Sequence, residues 1–209
     1  MKKLKIKLIG WDLDGTLADN FETNYQVIRK IFEKFNVLPP KKEEFGDGLT
    51  HDLTSFYRKY DLLAAEEEIR DIFREIIEKS PPPQMFDNAK FTLEKIKSQN
   101  IEQALITMAS GYRVAPFIKS FDIENIFFAI HSDVNNKQKI ITKIIQEKNI
   151  NPEHFLYVGD TPADIEAANS ARAISVGFTK GFASKKSLQK ARPQFLINDH
   201  FELLSILDL

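Results

Sequence analysis

Two acidic residues near the start of the chain have the types and spacing of a reactive centre. Asp12 and Asp14 follow an apolar run from Leu4 to Ile9 that is typical of a buried strand. Residues two apart in an extended chain project to the same side, so both carboxylates can lie near one point. Gly15 then allows the backbone to leave the strand in a tight turn. The pair therefore indicates a metal or phosphate centre at the end of a strand.

Polar residues also end two later apolar segments. Thr107 follows the segment 104–106, and Asp160 follows the segment 155–158 and a glycine. Short, fully apolar strands that alternate with helices are typical of a parallel sheet covered on both faces. The carboxyl ends of such strands share one edge of the sheet, and ligands bind there. We therefore expect Thr107 and Asp160 to lie close to Asp12.

This combination of side chains fits phosphoryl transfer. Asp12 can attack phosphorus and carry the phosphoryl group covalently, while Asp14 gives a proton to the leaving group and then takes one from the attacking water. A carboxylate that approaches a phosphate dianion is repelled, so a divalent cation is needed, and Mg²⁺ suits a site of oxygen ligands. Its natural ligands are Asp12, the Asp14 carbonyl group and Asp160.

Three further residues complete the predicted site. Thr107 can donate a hydrogen bond to a phosphate oxygen. Lys137, at the start of a predicted helix, can neutralise charge on the nucleophile and the phosphate, and Lys139 is an alternative two residues later. Asp164 is close enough to Asp160 in the sequence to orient the metal ligands, and it also suits the first turn of a helix.

The motifs that contain these residues resemble those of the haloacid dehalogenase superfamily, in its phosphatase branch. The segment 12–17 (DLDGTL) is similar to the first motif of that superfamily, and 105–107 (LIT) is similar to the second. Lys137 resembles the third motif, and 159–164 (GDTPAD) resembles the fourth. The order and spacing of the four motifs cover nearly the whole chain.

The resemblance implies a mechanism and a domain plan. By that resemblance Asp12 is the nucleophile and Asp14 the acid/base, and Mg²⁺ is held by Asp12, Asp14 and Asp160 with Asp164 in support. The helical segment after the first motif resembles the cap that phosphoglycolate-phosphatase-like members insert at this point.

The chain departs from the family pattern at three positions. Met108 stands where the second motif usually continues with asparagine, and Gln138 stands where a proline usually follows the lysine of the third. Arg172 stands where the family often has glycine. The first departure concerns a contact behind the phosphate site, the second leaves Lys139 open as the active-site lysine, and the third predicts a changed turn.

The spacing of apolar residues divides the chain into a core and an insertion. Residues 18–83 show helical spacing, a polar loop at 43–50 and no convincing strand, and they end in the prolines 81–83. We therefore predict an α/β protein. Its three-layer, Rossmann-like core with a mainly parallel sheet spans residues 1–17 and 84–209, and its small all-helical cap domain spans residues 18–83.

Composition excludes several classes of protein. The chain of 209 residues has a net charge of −1 and no cysteine, which excludes thiolate catalysis and gives no electrostatic reason to bind nucleic acid or an anionic membrane. The four histidines have no metal-ligand spacing. We expect a cytoplasmic monomer or homodimer whose partner is a small phosphorylated metabolite, not nucleic acid or a membrane.

Other interpretations of the acidic motif stay open or fail on its residues. A phosphomutase would use the same aspartyl-phosphate, and a non-catalytic scaffold would be expected to lose one of the three aspartates, none of which is lost. A nucleotide-binding module would need a glycine-rich loop, but Gly15 is alone there. A calcium loop starting at Asp12 would need glycine and glutamate where Leu17 and Thr23 stand.

Charged residues outside the motifs are interpreted as surface groups. Arg58, Lys59 and Arg113 are of this kind, and one of them could reach a carboxylate or sugar of the substrate. His51 is expected on the surface of the cap.

Overall fold

The structure, a computed structural model that describes residues 4–48 and 53–209, is organised around a sheet of six parallel strands. In chain order the strands are β1 (Leu8–Trp11), β2 (Ala18–Asp19), β3 (Gln84–Met85), β4 (Glu102–Ile106), β5 (Ala129–His131), β6 (Phe155–Gly159), β7 (Ile174–Phe178) and β8 (Phe195–Ile197). The order across the sheet is β5-β4-β1-β6-β7-β8, while β2 and β3 form a separate antiparallel pair. Because β1 lies in the middle, the residues that follow it are flanked by the ends of β4 and β6.

Helices cover both faces of this sheet. In chain order, the α-helices of the described residues are α1 (Phe21–Lys34), α2 (Lys42–Gly48), α3 (Leu53–Lys59), α4 (Glu66–Ile77), α5 (Ala89–Ser98), α6 (Gly111–Ser120), α7 (Lys137–Glu147), α8 (Pro162–Ser170), α9 (Lys185–Lys190) and α10 (Phe201–Leu207), and those that cover the sheet come from α5 onward. Side chains alternate across β1: Ile9 and Trp11 pack with α5, α6 and α10, whereas Leu8 packs with α7 and α8. The three-layer α/β fold predicted from the sequence is confirmed.

The strand register brings the predicted site residues to one edge. Trp11, the last residue of β1, pairs with Leu105 of β4 and Val158 of β6. Asp12 continues this alignment, because its N–H donates to the carbonyl of Val158 at 3.0 Å. The residues that directly follow β1, β4 and β6 therefore share the carboxyl edge of the sheet.

The helices α1 to α4 pack around a hydrophobic cluster of their own. We call it the cap cluster, and its buried members are Val27, Ile28, Ile31, Phe32, Phe45, Phe56, Tyr57, Leu62, Ile69 and Ile72. Phe182, from the loop after β7, packs against the same cluster. The pair of β2 and β3 joins the two ends of this helical unit, so the unit leaves and re-enters the core at one place.

Two details of the cap differ from the sequence prediction. Residues 43–48 of the predicted loop belong to α2 (Lys42–Gly48), and the first two residues of the predicted strand-free segment form β2. Phe45 is buried in the cap cluster, and this burial outweighs the low helix propensity of the two glycines that follow it, Gly46 and Gly48. Residues 49 and 50 of the predicted loop, and His51, lie outside the described residues. In the ranges 4–48 and 53–209, no helix has the length and apolar character needed to cross a bilayer.

Candidate active site

The turn after β1 presents the first two aspartates in different environments. Gly15 has a φ of 77°, a left-handed conformation that is strained for other residues. The N–H groups of Thr16, Leu17 and Ala18 all donate to the carbonyl of Leu13, which closes the turn. Asp12 is 6% exposed, whereas Asp14 is half-buried and pairs with Arg113.

Lys137, the first residue of α7, lies inside the site and not on the surface. Its Nζ is 2.8 Å from Asp12 Oδ1 and 2.6 Å from Asp164 Oδ1, and its side chain is 5% exposed. Lys139, the alternative, is exposed, and its N–H donates to the side chain of Asn136 at the start of the helix. The geometry therefore places Lys137 against the predicted nucleophile.

Asp164 is fixed by the start of α8. Thr161 caps this helix, and its N–H and hydroxyl donate to Asp164 Oδ2 at 3.1 and 2.6 Å. The other oxygen of Asp164 accepts from Lys137. Since both oxygens are engaged, Asp164 is placed to hold Lys137 in position, as expected of a supporting residue.

Asp160, at the end of β6, is fully buried and enclosed by a loop of the core. Its Oδ1 accepts from the Thr16 hydroxyl at 2.9 Å, and its Oδ2 accepts from the Phe182 N–H at 2.7 Å. The backbone passes so close that a Cβ on Gly181 would lie 2.2 Å from Asp160 Cβ and 2.3 Å from the Gly15 carbonyl oxygen. The loop therefore fixes Asp160, and it also carries the Phe182 ring into the cap cluster.

The buried acidic cluster fits a divalent cation. One oxygen each of Asp12, Asp160 and Asp164 lie within 4.8 Å of one another, and Lys137 is the cation paired with two of them. Burial, only partly offset by Lys137, raises the pKa of Asp12 to about 7. Burial and the two neighbouring carboxylates raise the pKa of Asp160 well above its usual value. Oxygen donors with this excess of negative charge are what Mg²⁺ prefers.

The pKa of Asp164 moves in the opposite direction. Burial alone would raise it, but the Lys137 ammonium and the Thr161 hydrogen bonds outweigh burial and lower the pKa of Asp164. The pKa of Lys137 is raised well above the usual value, because the attraction of its two carboxylate partners outweighs the effect of burial. Lys137 and Asp164 therefore form a buried ion pair beside Asp12, 2.6 Å apart.

Asp14 stands apart from this cluster and has its own partners. Its Oδ1 accepts from the Asn20 amide at 2.6 Å and from Arg113 Nη2 at 3.1 Å, and its Oδ2 accepts from Arg113 Nη1 at 2.9 Å. The Arg113 guanidinium also lies 5.7 Å from the centre of the Phe73 ring of the cap. The carboxylate of Asp14 therefore faces the junction of core and cap.

Thr107 ends β4 at the predicted edge and is buried. Its hydroxyl accepts from the Ala109 N–H at 3.0 Å, which leaves the hydroxyl proton free to be donated to an oxygen in the site. This turn forms although Met108 replaces the usual asparagine, and the Met108 side chain is half-buried.

The Arg172 departure is accommodated without a change of turn. Arg172 directly follows the C-cap of α8 and has a φ of 59°, the left-handed conformation that glycine adopts at this position without strain. The backbone therefore keeps the turn, and the arginine side chain is exposed.

Sequence reasoning missed three residues that the structure brings to the site. Arg113 is one of the three residues interpreted above as surface charges, one of which could reach the substrate, but its contact with Asp14 was not predicted; the other two, Arg58 and Lys59, are exposed on α3. Asn20 holds Asp14, and Phe182 holds Asp160. Arg113 carried no signal of its role, because its partners Asp14 and Phe73 are remote from it in the sequence.

The chain is similar to known hydrolases in sequence and in fold. Residues 9–178 match the model of the family described as haloacid dehalogenase-like hydrolase. A phosphoglycolate phosphatase from Mannheimia succiniciproducens is 24% identical, over 97% of this chain and 98% of the relative. A solved structure of a predicted phosphatase from Clostridium acetobutylicum has a TM-score of 0.81 at 23% identity, over 98% of this chain and 99% of that one. A candidate beta-phosphoglucomutase from Bacteroides vulgatus has a TM-score of 0.80 at 21% identity, over 99% of this chain and 90% of that one.

Proposed function

Because this chain belongs to the haloacid dehalogenase-like hydrolase family, we propose that it is a Mg²⁺-dependent phosphatase that hydrolyses a phosphomonoester of a small metabolite through an aspartyl-phosphate on Asp12. The enzyme class expected from the sequence, a phosphoric monoester hydrolase of this superfamily, is confirmed. The observation that carries the mechanism is the position of Asp12. It is buried at the carboxyl edge, paired with Lys137 and adjacent to Asp160, while Asp14 is held separately.

The surroundings of Asp12 suit a carboxylate nucleophile. Lys137 holds Oδ1 at 2.8 Å, which orients the group and leaves Oδ2 to attack phosphorus. Mg²⁺, held by Asp12, the Asp14 carbonyl group and Asp160, would supply the positive charge that lets a carboxylate approach a phosphate dianion. The Thr107 hydroxyl donates to a phosphate oxygen from the neighbouring strand.

Asp14 transfers the proton in both halves of the reaction. It donates to the ester oxygen as the P–O bond breaks and the bond to Asp12 forms. It then takes a proton from the water that attacks the phosphorus of the aspartyl-phosphate, and this second step releases inorganic phosphate and restores the Asp12 carboxylate. The two carboxylates have different roles because only Asp12 lies in the buried cluster with Lys137.

Two kinds of relative bear on the substrate. The phosphoglycolate phosphatase relatives favour a small phosphorylated acid as the substrate. The alternative is a phosphomutase, favoured by the structural similarity to a candidate beta-phosphoglucomutase. A mutase returns the phosphoryl group from Asp12 to a sugar instead of to water, so release of inorganic phosphate distinguishes the two. A non-catalytic scaffold of this fold would bind phosphorylated compounds without turnover.

The test is hydrolysis of an aryl phosphate with and without Mg²⁺ by three proteins. These are the wild type, Asp12→Asn, and the control Asp19→Asn, which makes the same change at an exposed position seven residues away. We expect metal-dependent release of phosphate by the wild type and the control, and loss of about four or more orders of magnitude in Asp12→Asn. Equal activity of the two variants would exclude Asp12 as the nucleophile.

A further inference from the structure

Arg113 holds a carboxylate in a two-point contact at the junction of core and cap. Its two terminal nitrogens donate to the two oxygens of Asp14 at 2.9 and 3.1 Å. The side chains are only 14% and 21% exposed. The planar guanidinium matches the shape of a carboxylate, so this contact is strong as well as directional.

Because Asp14 is the proposed proton donor to the leaving group, the Arg113 guanidinium that contacts Asp14 lies next to that group. A residue that protonates the ester oxygen must approach it to hydrogen-bond distance. Arg113 contacts both oxygens of Asp14, so it lies only a few ångströms from the first atoms beyond that ester oxygen. The Phe73 ring of α4 covers the guanidinium from the cap side, which limits competition from water.

We propose that Arg113 is a specificity residue that binds a carboxylate of the substrate's leaving group, which takes the place of the Asp14 carboxylate on the guanidinium. This inference rests on the proposed function, because it uses Asp14 to locate the leaving group. After the exchange, Asn20 still holds Asp14 Oδ1, and Asp14 Oδ2 is left to face the ester oxygen. The substrate class is a phosphomonoester with a carboxylate one or two carbons from the ester oxygen.

The positive charge of Arg113 explains why the site selects a substrate whose leaving group carries a carboxylate. A neutral leaving group offers the guanidinium no replacement for Asp14, so Arg113 stays on Asp14 or is left unpaired in a half-buried place. A carboxylate makes the same two hydrogen bonds that Asp14 made. Sites built around a buried charge pair discriminate by on the order of a hundredfold or more against an analogue that lacks the partner.

A second arginine–aromatic contact between α4 and α6 provides a matched control. Arg74 of α4 lies over the Tyr112 ring of α6 at 5.4 Å, while Arg113 of α6 lies by the Phe73 ring of α4 at 5.7 Å. The two contacts are reciprocal and adjacent, but Arg74 is exposed and pairs with no aspartate of the site. Arg74→Met therefore removes one arginine from the same junction and leaves the proposed carboxylate site intact.

The experiment compares two small esters that differ in one group. The probes are 2-phosphoglycolate and 2-hydroxyethyl phosphate, in which a hydroxymethyl group replaces the carboxylate. We expect the wild type to favour 2-phosphoglycolate, and Arg113→Met to raise its KM on the order of a hundredfold. Because Arg113 also contacts Asp14, its loss affects both esters, so the readout is the ratio of kcat/KM for 2-phosphoglycolate to that for 2-hydroxyethyl phosphate. This ratio should fall on the order of a hundredfold in Arg113→Met and stay within about threefold of the wild type in Arg74→Met.

A further variant and an inhibitor keep the test informative if Arg113→Met folds poorly. Arg113→Lys keeps the positive charge but lacks the two parallel N–H donors of the guanidinium. Its KM for 2-phosphoglycolate should therefore lie between those of the wild type and Arg113→Met. In the wild type, glycolate should compete with an aryl phosphate, and ethylene glycol should not.

Three results would overturn the proposal. They are equal losses on both esters in Arg113→Met, no preference between the esters in the wild type, and no inhibition by glycolate. Each would mean that Arg113 acts on Asp14 alone. Failure of the wild type to hydrolyse either ester and the aryl phosphate would instead refute the proposed function, so the two failures are distinct.

Discussion

Replacement of Lys137 by methionine should destabilise the metal-free protein strongly. Lys137 is 5% exposed and lies 2.8 and 2.6 Å from the carboxylates of Asp12 and Asp164, with Asp160 in the same cluster. Methionine fills a similar volume without the charge, so the change leaves buried carboxylates uncompensated. Removal of one partner from a buried ion pair typically costs about 3–5 kcal/mol. We expect the free energy of unfolding to fall by about that amount at pH 8.

The assay is urea unfolding in the presence of a chelator, with Lys139→Met as the control. Lys139 is exposed and lies on the same helix, so its replacement should change the free energy of unfolding by less than about 0.5 kcal/mol. Mg²⁺ should stabilise Lys137→Met more than the wild type, because the cation is then the main positive charge in the cluster. The difference in the free energy of unfolding between the wild type and Lys137→Met should become smaller as the pH is lowered toward 5, because the buried carboxylates then take up protons.

Comparable stabilities of Lys137→Met and Lys139→Met at pH 8 would refute this reasoning. The result would mean that the buried carboxylates are neutralised by protons at that pH and do not depend on Lys137. The proposed cation site would then lose its electrostatic basis.

Three further predictions concern the metal and the turns around it. The thermal stabilisation by Mg²⁺ should be larger at pH 8 than at pH 5. The pKa of Asp12 is raised to about 7 and that of Asp160 is also raised, so at pH 5 these carboxyl groups hold protons that the metal must displace. Equal shifts in melting temperature at the two pH values would contradict this. Gly181→Ala should weaken Mg²⁺ binding measured by calorimetry, since its Cβ would lie 2.2 Å from Asp160 Cβ; unchanged affinity would show that the loop does not fix Asp160. Arg172→Gly should raise the free energy of unfolding by about 1 kcal/mol, because its φ of 59° strains a residue with a side chain; a loss of stability in urea unfolding would refute the strain.

The core of the fold and much of the candidate site could be predicted from local patterns. The apolar strands and the polar residues that end them are contiguous in the sequence, and the parallel topology then forces Asp12, Thr107 and Asp160 to one edge. The roles assigned to these residues stay predictions. The structure adds that Lys137 is the lysine that faces Asp12.

Contacts between the cap and the core could not be predicted in the same way. Arg113 looks like any charged residue on an amphipathic helix, and it becomes part of the site only because Phe73 of the cap and Asp14 of the core lie on either side of it. Phe182 joins the cap cluster and also donates to Asp160, and these partners are remote from it in the sequence. Such contacts depend on how the helices α1 to α4 are placed against the rest of the fold, which hydrophobic periodicity does not specify.

The central claim is that Asp12 carries the phosphoryl group during turnover. The most direct measurement is rapid acid quenching of the wild type with Mg²⁺ and an aryl phosphate, followed by mass spectrometry of the peptide that contains Asp12. We expect a mass increase of one phosphoryl group on Asp12 that forms as fast as turnover and is absent in Asp12→Asn. A phosphoryl group on another residue, or none on Asp12 while turnover proceeds, would contradict the account.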